Sequence, residues 1–114
     1  PWEALFFEHD LGTPLSRERA GAFAVPLDMV RAAPSASNKQ PWRIVRQDAR
    51  WHFYLQPTPG YAAAHLQHAD IGIAMCHWAL TLRDLGMSGE WTTDRLAIET
   101  DDASATYIAT WVAR

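Results

Sequence analysis

The clearest periodicity in the chain lies between His68 and Gly86, where apolar residues recur at helical intervals. The repeating positions are Ile71, Met75, Trp78, Leu82 and Leu85. Residues three or four apart lie on one side of a helix, so this spacing predicts a long amphipathic helix whose apolar side faces the core. Gly86 stands where a helix C-terminus favours glycine, and we expect the helix to end there.

A second helical region precedes this one. Ser16 follows glycine and proline turn residues and is a candidate N-cap. Pro26 interrupts the region, because a proline in a helix interior removes a hydrogen bond and clashes with the preceding turn. We therefore expect either a short helix with Pro26 in its first turn or two helical pieces that meet near Val25. Apolar residues then keep helical spacing at Leu27, Val30 and Ala33. Pro34 ends the run.

Four segments have the composition of strands. "WRIVRQ" (42–47) and "WHFYLQ" (51–56) are rich in β-branched and aromatic residues, and the three residues between them indicate a hairpin. In the second segment Trp51, Phe53 and Leu55 share one face. "DRLAIET" (94–100) and "ATYIATWVA" (105–113) form a second predicted hairpin around "DDAS", and Tyr107 and Trp111 are expected on the same face.

The order of these elements is helix, hairpin, helix, hairpin. This order predicts an α+β fold with helices packed on a mostly antiparallel sheet. With 114 residues, 48% of them hydrophobic and six of them Trp, the chain can build one core, so we expect a single domain over residues 1–114. The sequence starts at Pro1 directly in apolar residues, and we expect it to be part of a longer protein.

Composition excludes several classes of function. The formal charge is −3 with both signs mixed along the chain, which is not the basic footprint of a nucleic-acid-binding protein. No apolar run approaches the roughly 20 residues that span a bilayer, and no signal pattern opens the chain, so we expect a soluble, cytoplasmic protein without membrane contact. The single cysteine, Cys76, lies within the apolar helical pattern, and we expect it to be a buried structural thiol.

Candidate sites for chemistry are few. His65, His68, Asp70 and His77 have a spacing at which a helical metal site is conceivable, but no paired Cys or Glu motif accompanies them, and the structural interpretation is favoured. The sequence contains no G-x-S-x-G element and no glycine-rich phosphate loop.

The segment "APSASNKQPWRI" (33–44) is unusual for its concentration of turn-forming and polar residues. One interpretation is structural: Pro34 ends a helix, the serines bond nearby backbone, Asn38 occupies a left-handed turn and Pro41 begins a strand. The other is functional: short side chains let the backbone approach a planar ligand, while Ser35 and Asn38 offer hydrogen bonds to its polar rim. Composition alone leaves both open.

Two motifs carry a resemblance to a known family. Residues 34–42, "PSASNKQPW", resemble the P-S-[SA]-x-N-x-Q-P-W signature of the FMN-dependent nitroreductase family. The long predicted helix is similar to that family's core helix, D-x-G-x-A-x-x-x-x-x-L-x-x-x-x-L-G. The matching positions here are Asp70, Gly72, Ala74, Leu80, Leu85 and Gly86. The two motifs occur in the same order as in the family, and the resemblance covers roughly residues 20–91.

The resemblance implies a flavin site without a catalytic side chain. It implies FMN-contacting roles, at the flavin ring or ribityl chain, for Pro34, Ser35, Ala36 and Asn38. Gln40 and Trp42 would hold the loop in position. A backbone N–H near Gly89 and Glu90 would face the N5 region of the flavin. The implied activity is that of an FMN-dependent oxidoreductase, which transfers electrons from NAD(P)H through the flavin to nitroaromatic or quinone-type acceptors.

The chain also departs from the family pattern. The usual R-R-S-x-R element, whose arginines hold the FMN phosphate, is absent; "LSRER" has another order, and Arg114 is the only basic residue at the C-terminal end. The sequence looks most like the C-terminal half of a branch in which one chain carries two similar halves. We therefore expect a half-site, completed in a homodimer or by an N-terminal half. The alternatives are a noncatalytic small-ligand-binding or dimerisation module and, ranked last, a metal-binding domain.

Overall fold

A computed structural model describes residues 1–61, 64–94 and 105–114 of the protein. Its helices and strands, in chain order, are β1 (Phe6–Glu8), α1 (Arg17–Ala20), α2 (Ala24–Ala32), β2 (Trp42–Gln47), β3 (Arg50–Leu55), α3 (Gln67–Asp84), β4 (Gly89–Thr92) and β5 (Thr106–Ala113). Short 3-10 turns occur at Trp2–Ala4, Gly21–Phe23, Ala36–Asn38 and Ala64–Leu66. Most of the predicted strand 94–100 and the predicted turn 101–104 lie outside the described residues.

The five strands form one sheet in the order β1-β2-β3-β5-β4. β1 runs parallel to β2, and every other neighbouring pair is antiparallel. The predicted α+β class is therefore confirmed. Strands β1 and β4 were not among the sequence predictions, because runs of three and four residues are too short to display an alternating pattern.

The main core lies between one face of the sheet and helices α2 and α3. Trp51 and Phe53 contribute from β3, as predicted, and Trp78 from α3 packs against both, with ring centroids 5.1 and 5.5 Å apart. Leu27 and Val30 bury the inner side of α2. Aromatic rings in edge-to-face and tilted contact fill this layer, which accounts for the high tryptophan content.

The predicted helix boundaries are confirmed by their hydrogen bonds. Ser16 caps α1, since its Oγ accepts a bond from the Arg19 N–H at 3.1 Å. Pro26 lies in the first turn of α2, where its missing N–H costs nothing, and α1 and α2 are separate pieces joined by the Gly21–Phe23 turn. At the end of α3, Gly86 has a φ of 71°, and the Met87 N–H reaches the Leu82 carbonyl at 2.9 Å, as in a Schellman motif.

Two residues of the predicted long helix lie elsewhere than predicted. Leu85 is exposed because the helix ends at Asp84 and the chain turns at Gly86, so that Met87 packs against the core in its place. Cys76 is exposed, which makes the prediction of a buried thiol wrong. Positions two apart on a helix lie about 200° around its axis, so the burial of Trp78 directs Cys76 away from the core.

The strand pairings correct two details of register. Gln47 pairs with Arg50, so the first turn contains only residues 48 and 49 and Arg50 belongs to β3. In β5 a register shift lets Tyr54 pair with Tyr107 while Phe53 pairs with Ala109. This irregularity breaks the predicted alternation, and Tyr107 lies on the opposite face from Trp111.

That opposite face carries a chain of buried and partly buried hydrogen bonds. The Asp94 N–H donates to Tyr107 Oη at 2.9 Å, and Tyr107 and Thr110 hydroxyls are 2.6 Å apart. Thr110 Oγ1 lies 2.7 Å from His52 Nδ1, and His52 Nε2 lies 3.1 Å from Gln47 Oε1. Because the Gln47 carbonyl oxygen can only accept, the neutral imidazole carries its proton on Nε2 and accepts from Thr110.

Candidate functional site

The candidate site is the loop between α2 and β2, residues 34–40, called the motif loop below. Three of its residues have left-handed backbone conformations: Ser37 at φ 52°, Asn38 at φ 54° and Gln40 at φ 48°. Such angles are uncommon for residues other than glycine, although asparagine tolerates them better than most. Their concentration in one short loop identifies a segment whose conformation is imposed by its surroundings.

Hydrogen bonds at both ends hold the motif loop in this shape. The Asn38 N–H donates to the Ser35 carbonyl and the Gln40 N–H donates to Ser35 Oγ, each at 3.0 Å. Gln40 also donates from its side-chain Nε2 to the carbonyl of Arg31 at 2.6 Å, which ties the end of the loop to the last turn of α2. Trp42, the next anchor along the chain, is completely buried.

The middle of the motif loop is held from the other side by Tyr61. The phenol of Tyr61 donates to Ser37 Oγ at 2.7 Å. The ammonium group of Lys39 lies 5.5 Å from the centroid of the same ring, within the range of a cation–π contact. Sequence reasoning missed Tyr61, since the only local signal, a Pro-Gly turn just before it, predicts a turn but not what its side chain contacts.

The predicted flavin-contacting residues lie together on this loop. Pro34 and Asn38 are exposed, Ser35 is partly buried, and Ala36 belongs to the Ala36–Asn38 turn. Within the part of the chain that the structure describes, the Asn38 amide makes no hydrogen bond and is therefore available to a ligand. The arrangement presents a polar, closely approachable strip of backbone, which suits the edge or face of a planar molecule.

The arginines of the "LSRER" segment are engaged with carboxylates. Arg17 makes two hydrogen bonds to Asp28, one of them at 2.6 Å, and its guanidinium lies 4.6 Å from the centre of the Trp2 ring. The bond to Arg17 holds the pKa of Asp28 below its ordinary value. Arg19 pairs with Glu8 at 3.1 Å.

Glu8 is also bonded by Arg46 at 2.9 Å, and this bond, opposed in part by burial, holds the pKa of Glu8 below its ordinary value. At the C-terminus Arg114 pairs with Glu90 at 2.8 Å. The arginines of "LSRER" and the terminal arginine are thus all paired with acids of this chain. Each of these three arginines already has a carboxylate partner, so none is free to bind a phosphate group.

The backbone after α3 is arranged as an edge strand. Arg114 N–H donates to the Ser88 carbonyl at 3.0 Å, and Gly89 pairs with Ala113. Because hydrogen-bonded pairs alternate along an antiparallel ladder, the Glu90 N–H points toward β5 and the Gly89 N–H points away from it. Of the two predicted candidates for the flavin N5 region, only Gly89 has a donor directed outward.

The histidines do not assemble into a metal site within the described ranges. No group of three or more His, Cys, Asp or Glu residues among residues 1–61, 64–94 and 105–114 is placed to hold a metal ion. His65 and His68 are exposed on the first turns leading into α3, whereas Asp70 is buried.

Comparison with protein families decides the relationship that the motifs suggested. A family model described as "Putative TM nitroreductase" matches residues 15–82, more than half of the chain. The chain belongs to this nitroreductase family. The nitroreductase match begins just before α1, includes the motif loop and the β2–β3 hairpin, and ends within α3. The α+β architecture agrees with this membership.

Other comparisons add no further relative. No curated protein and no solved structure matches the chain significantly. In the described portion, none of the helices has the length and apolar character that crossing a membrane requires.

Proposed function

We propose that this chain is an FMN-binding oxidoreductase domain of the nitroreductase family, with the motif loop forming one wall of the flavin site. The observation that carries the proposal is the motif loop itself. Three left-handed residues are held there by bonds at each end and in the middle, yet the polar Asn38 amide faces outward without a partner among the described residues. Strained and well-supported backbone of this kind is typical of ligand sites.

The residues of the loop fit the polar rim of a flavin. Asn38 offers both an amide donor and an acceptor, and Ser35 still has its hydroxyl proton to donate after accepting the Gln40 N–H. Pro34, which is exposed, adds small apolar surface beside them. When bound, FMN supplies the two-electron chemistry between NAD(P)H and a nitroaromatic or quinone-type acceptor. The chain's own residues bind and orient the ring, and none is needed as a nucleophile.

The phosphate of FMN requires cationic partners, and the arginines of the "LSRER" segment already have carboxylate partners within this chain. Arg17 and Arg19 are paired with Asp28 and Glu8, and a phosphate held without cationic partners binds weakly. We infer that the phosphate is held by another segment or subunit, so that the chain contributes half of a site. This half-site could be completed in a homodimer or by a second, similar half.

The exposed surface of α2 and α3 suits such an association. Outward positions on α2 carry Val25 and Met29, and those on α3 carry Gly72, Cys76 and Leu80; these five residues are called the outer helical surface below. Val25, Met29 and Leu80 are between 42% and 54% exposed. Apolar side chains aligned on neighbouring helices are typical of interfaces between subunits.

The same surface favours a second candidate function. A module that keeps the nitroreductase fold for dimerisation, or for binding another small planar ligand without catalysis, would use the outer helical surface and have no need of a phosphate clamp. It differs from the first candidate in one measurable respect, since it retains no FMN.

The decisive experiment is a visible absorbance spectrum of the purified protein before and after addition of FMN and passage through a desalting column. It should be recorded for this chain and for any longer parent form. Retention of flavin by the longer form alone supports the half-site, and NAD(P)H oxidation assays then test turnover. Tight FMN binding by this chain as a monomer contradicts the half-site, and no flavin in either form favours the noncatalytic module.

A further inference from the structure

A buried glutamine at the start of α3 fixes the loop that follows β3. Gln67 is completely buried, and both ends of its amide bond the same residue, Thr58. The amide oxygen accepts from the Thr58 N–H at 3.0 Å, and Nε2 donates to Thr58 Oγ1 at 2.9 Å. A buried amide with both its carbonyl and its amino group paired in this way specifies one position for its partner.

Thr58 begins a tight turn that sets the position of Tyr61. The Tyr61 N–H donates to the Thr58 carbonyl at 3.2 Å, with Pro59 and Gly60 between them. Gly60 has a φ of 71°, and proline followed by a glycine with positive φ is the sequence of a type II turn. Proline fixes one angle and glycine permits the other, so Tyr61 is held at a defined distance from α3.

From this turn the Tyr61 side chain reaches the motif loop at its most constrained point. Its hydroxyl donates to the Oγ of Ser37, whose backbone lies at φ 52° and ψ 23°. The ring also lies beneath the Lys39 ammonium at 5.5 Å. A single side chain therefore contacts two residues of a loop that local backbone preferences disfavour.

We propose that Tyr61 is a positioning residue for the motif loop: it transmits the fixed position of the Gln67–Thr58 pair to Ser37 and so maintains the left-handed conformation of the loop. Through this contact Tyr61 affects ligand binding without touching the ligand. The ligand part of the inference rests on the proposed flavin function, whereas the order of the loop does not.

The sequence provides a direct measure of loop order. Lys39 is the only lysine in the chain, so endoproteinase Lys-C can cut it at one peptide bond, which lies within the motif loop. When a loop opens and closes faster than it is cleaved, the rate of cleavage reports the population of the open form. The measurement is made on the folded chain without any flavin.

The variants are Tyr61→Phe, Ser37→Ala and the double substitution. Tyr61→Phe keeps the ring under Lys39 and removes only the hydroxyl, and Ser37→Ala removes its acceptor. Loss of one hydrogen bond should raise the rate of cleavage about three- to tenfold in each single variant. The double variant should be cleaved no faster than the faster single variant, because the two changes remove the same contact.

Tyr54→Phe is the matched control, since it deletes a phenol that packs in a separate cluster with Phe7 and Val45 and should leave the rate of cleavage unchanged. Circular dichroism melting verifies that each variant is folded; if Tyr61→Phe is not, Ser37→Ala gives the same test alone. Equal cleavage of wild type, Tyr61→Phe and Ser37→Ala overturns the proposal, as does full additivity in the double variant.

Flavin binding separates this inference from the proposed function. If the flavin-retaining form binds FMN, Tyr61→Phe should weaken that binding by a similar factor, measured by quenching of flavin fluorescence. Unchanged FMN affinity together with faster cleavage would show that Tyr61 orders the loop but does not affect ligand binding. That result overturns the ligand part of the inference. If no form binds FMN, the proposed function fails, and cleavage still decides the role of Tyr61 in ordering the loop.

Discussion

At the scale of single residues, Gly89 shows how closely this small domain is packed at its sheet edge. A Cβ atom built at Gly89 would lie against the indole of Trp111 and 2.6 Å from the Val112 carbonyl oxygen. Separations of this size require the backbone or the Trp111 side chain to move, so the position favours glycine. By contrast, a Cβ at Gly72 on α3 would meet nothing within 4 Å.

These two glycines give a matched pair of substitutions. Gly89→Ala should lower the free energy of unfolding by about 1–3 kcal/mol, because the added methyl group forces β4 away from β5. Gly72→Ala should raise it by about 0.5–1 kcal/mol, because alanine is the better helix former and the space is open. Urea unfolding of both variants checks the prediction, which is wrong if Gly89→Ala is as stable as the parent chain.

Asn38 permits a test of the proposed flavin contact that does not disturb the backbone. Asn38→Gly removes the amide but accepts the left-handed angle, so the fold should be retained while FMN affinity falls about five- to tenfold in the flavin-binding form. Asp48→Gly is the control: Asp48 has the same φ of 54° in the β2–β3 turn, away from the motif loop. Equal FMN affinity in Asn38→Gly and the parent chain would show that the Asn38 amide does not contribute to FMN binding.

At the scale of elements, the hydrogen-bond chain through His52 links β2, β3 and β5 on the sheet face that lies away from the helices. Thr110 is its central member, since its hydroxyl accepts from Tyr107 and donates to His52. The contact with His52 is buried and the contact with Tyr107 is partly buried, and loss of the hydroxyl removes the Thr110 partner of both groups.

Thr110→Val should therefore destabilise the protein by about 2–3 kcal/mol, although it preserves shape and β-propensity. Thr110→Ser keeps the hydroxyl and loses only a methyl group, so its cost should be clearly smaller. Thermal or urea unfolding of the pair measures the difference. Equal costs for Val and Ser would mean that packing of the methyl group, not the hydrogen bonds, makes Thr110 important.

His52 makes stability depend on pH. Burial, partly opposed by the charge of Asp94 and reinforced by that of Arg50, lowers the pKa of His52 in the folded protein. Below the unfolded value of 6.5 the unfolded chain binds a proton that the folded chain does not, so stability falls as pH falls through that value. The contribution to the slope is at most about 1.4 kcal/mol per pH unit.

The measurement is the free energy of unfolding between pH 8 and pH 5 for the parent chain and for His52→Gln. The variant is expected to be less stable at pH 8, because the hydrogen-bond chain is altered, and to lose less stability on acidification. Parallel curves for the two proteins would show that His52 does not contribute to the acid sensitivity.

At the scale of the whole molecule, the sheet covers one side of α2 and α3 and leaves their other side exposed. The outer helical surface carries apolar residues, and the arginines of the "LSRER" segment and of the C-terminus are paired within the chain. The outer helical surface is exposed because the core uses a single face of each helix. Each is what the proposed half-site requires.

Leu80 provides the test of association. If two copies associate through the outer helical surface, Leu80→Glu should convert the dimer to a monomer in light scattering after gel filtration, because a charge is buried poorly in an apolar contact. Leu85→Glu is the control, since Leu85 is similarly exposed but lies beyond the end of α3. A parent chain that is monomeric at about 100 µM excludes the homodimer, leaving completion by another segment.

The reactivity of the single cysteine reports on the same contact. Cys76 lies on the outer helical surface and is exposed in the isolated chain. Its rate of modification by a thiol reagent should fall on association and be restored by Leu80→Glu. Unchanged reactivity in an associated form would place the contact elsewhere on the molecule.

The sequence by itself determined those features that depend on neighbours along the chain. The cap at Ser16, the helix end at Gly86, the inward face of Trp51 and Phe53, and the α+β class all follow from local spacing and turn chemistry. The nitroreductase signature could likewise be recognised in residues 34–42 of the sequence. These are properties of periods, caps and motifs, which a linear sequence contains in full.

Only the tertiary structure decided which distant residues meet. The short strands β1 and β4 form because longer neighbours offer them edges to pair with. Cys76 points outward because the burial of Trp78 in the core fixes which side of α3 faces inward. Arg17 and Arg19 are occupied because the fold brings Asp28 and Glu8 to them, and Tyr61 reaches Ser37 across 24 positions because Gln67 fixes its turn. Contacts of this kind depend on how elements pack against one another, and no local pattern records them.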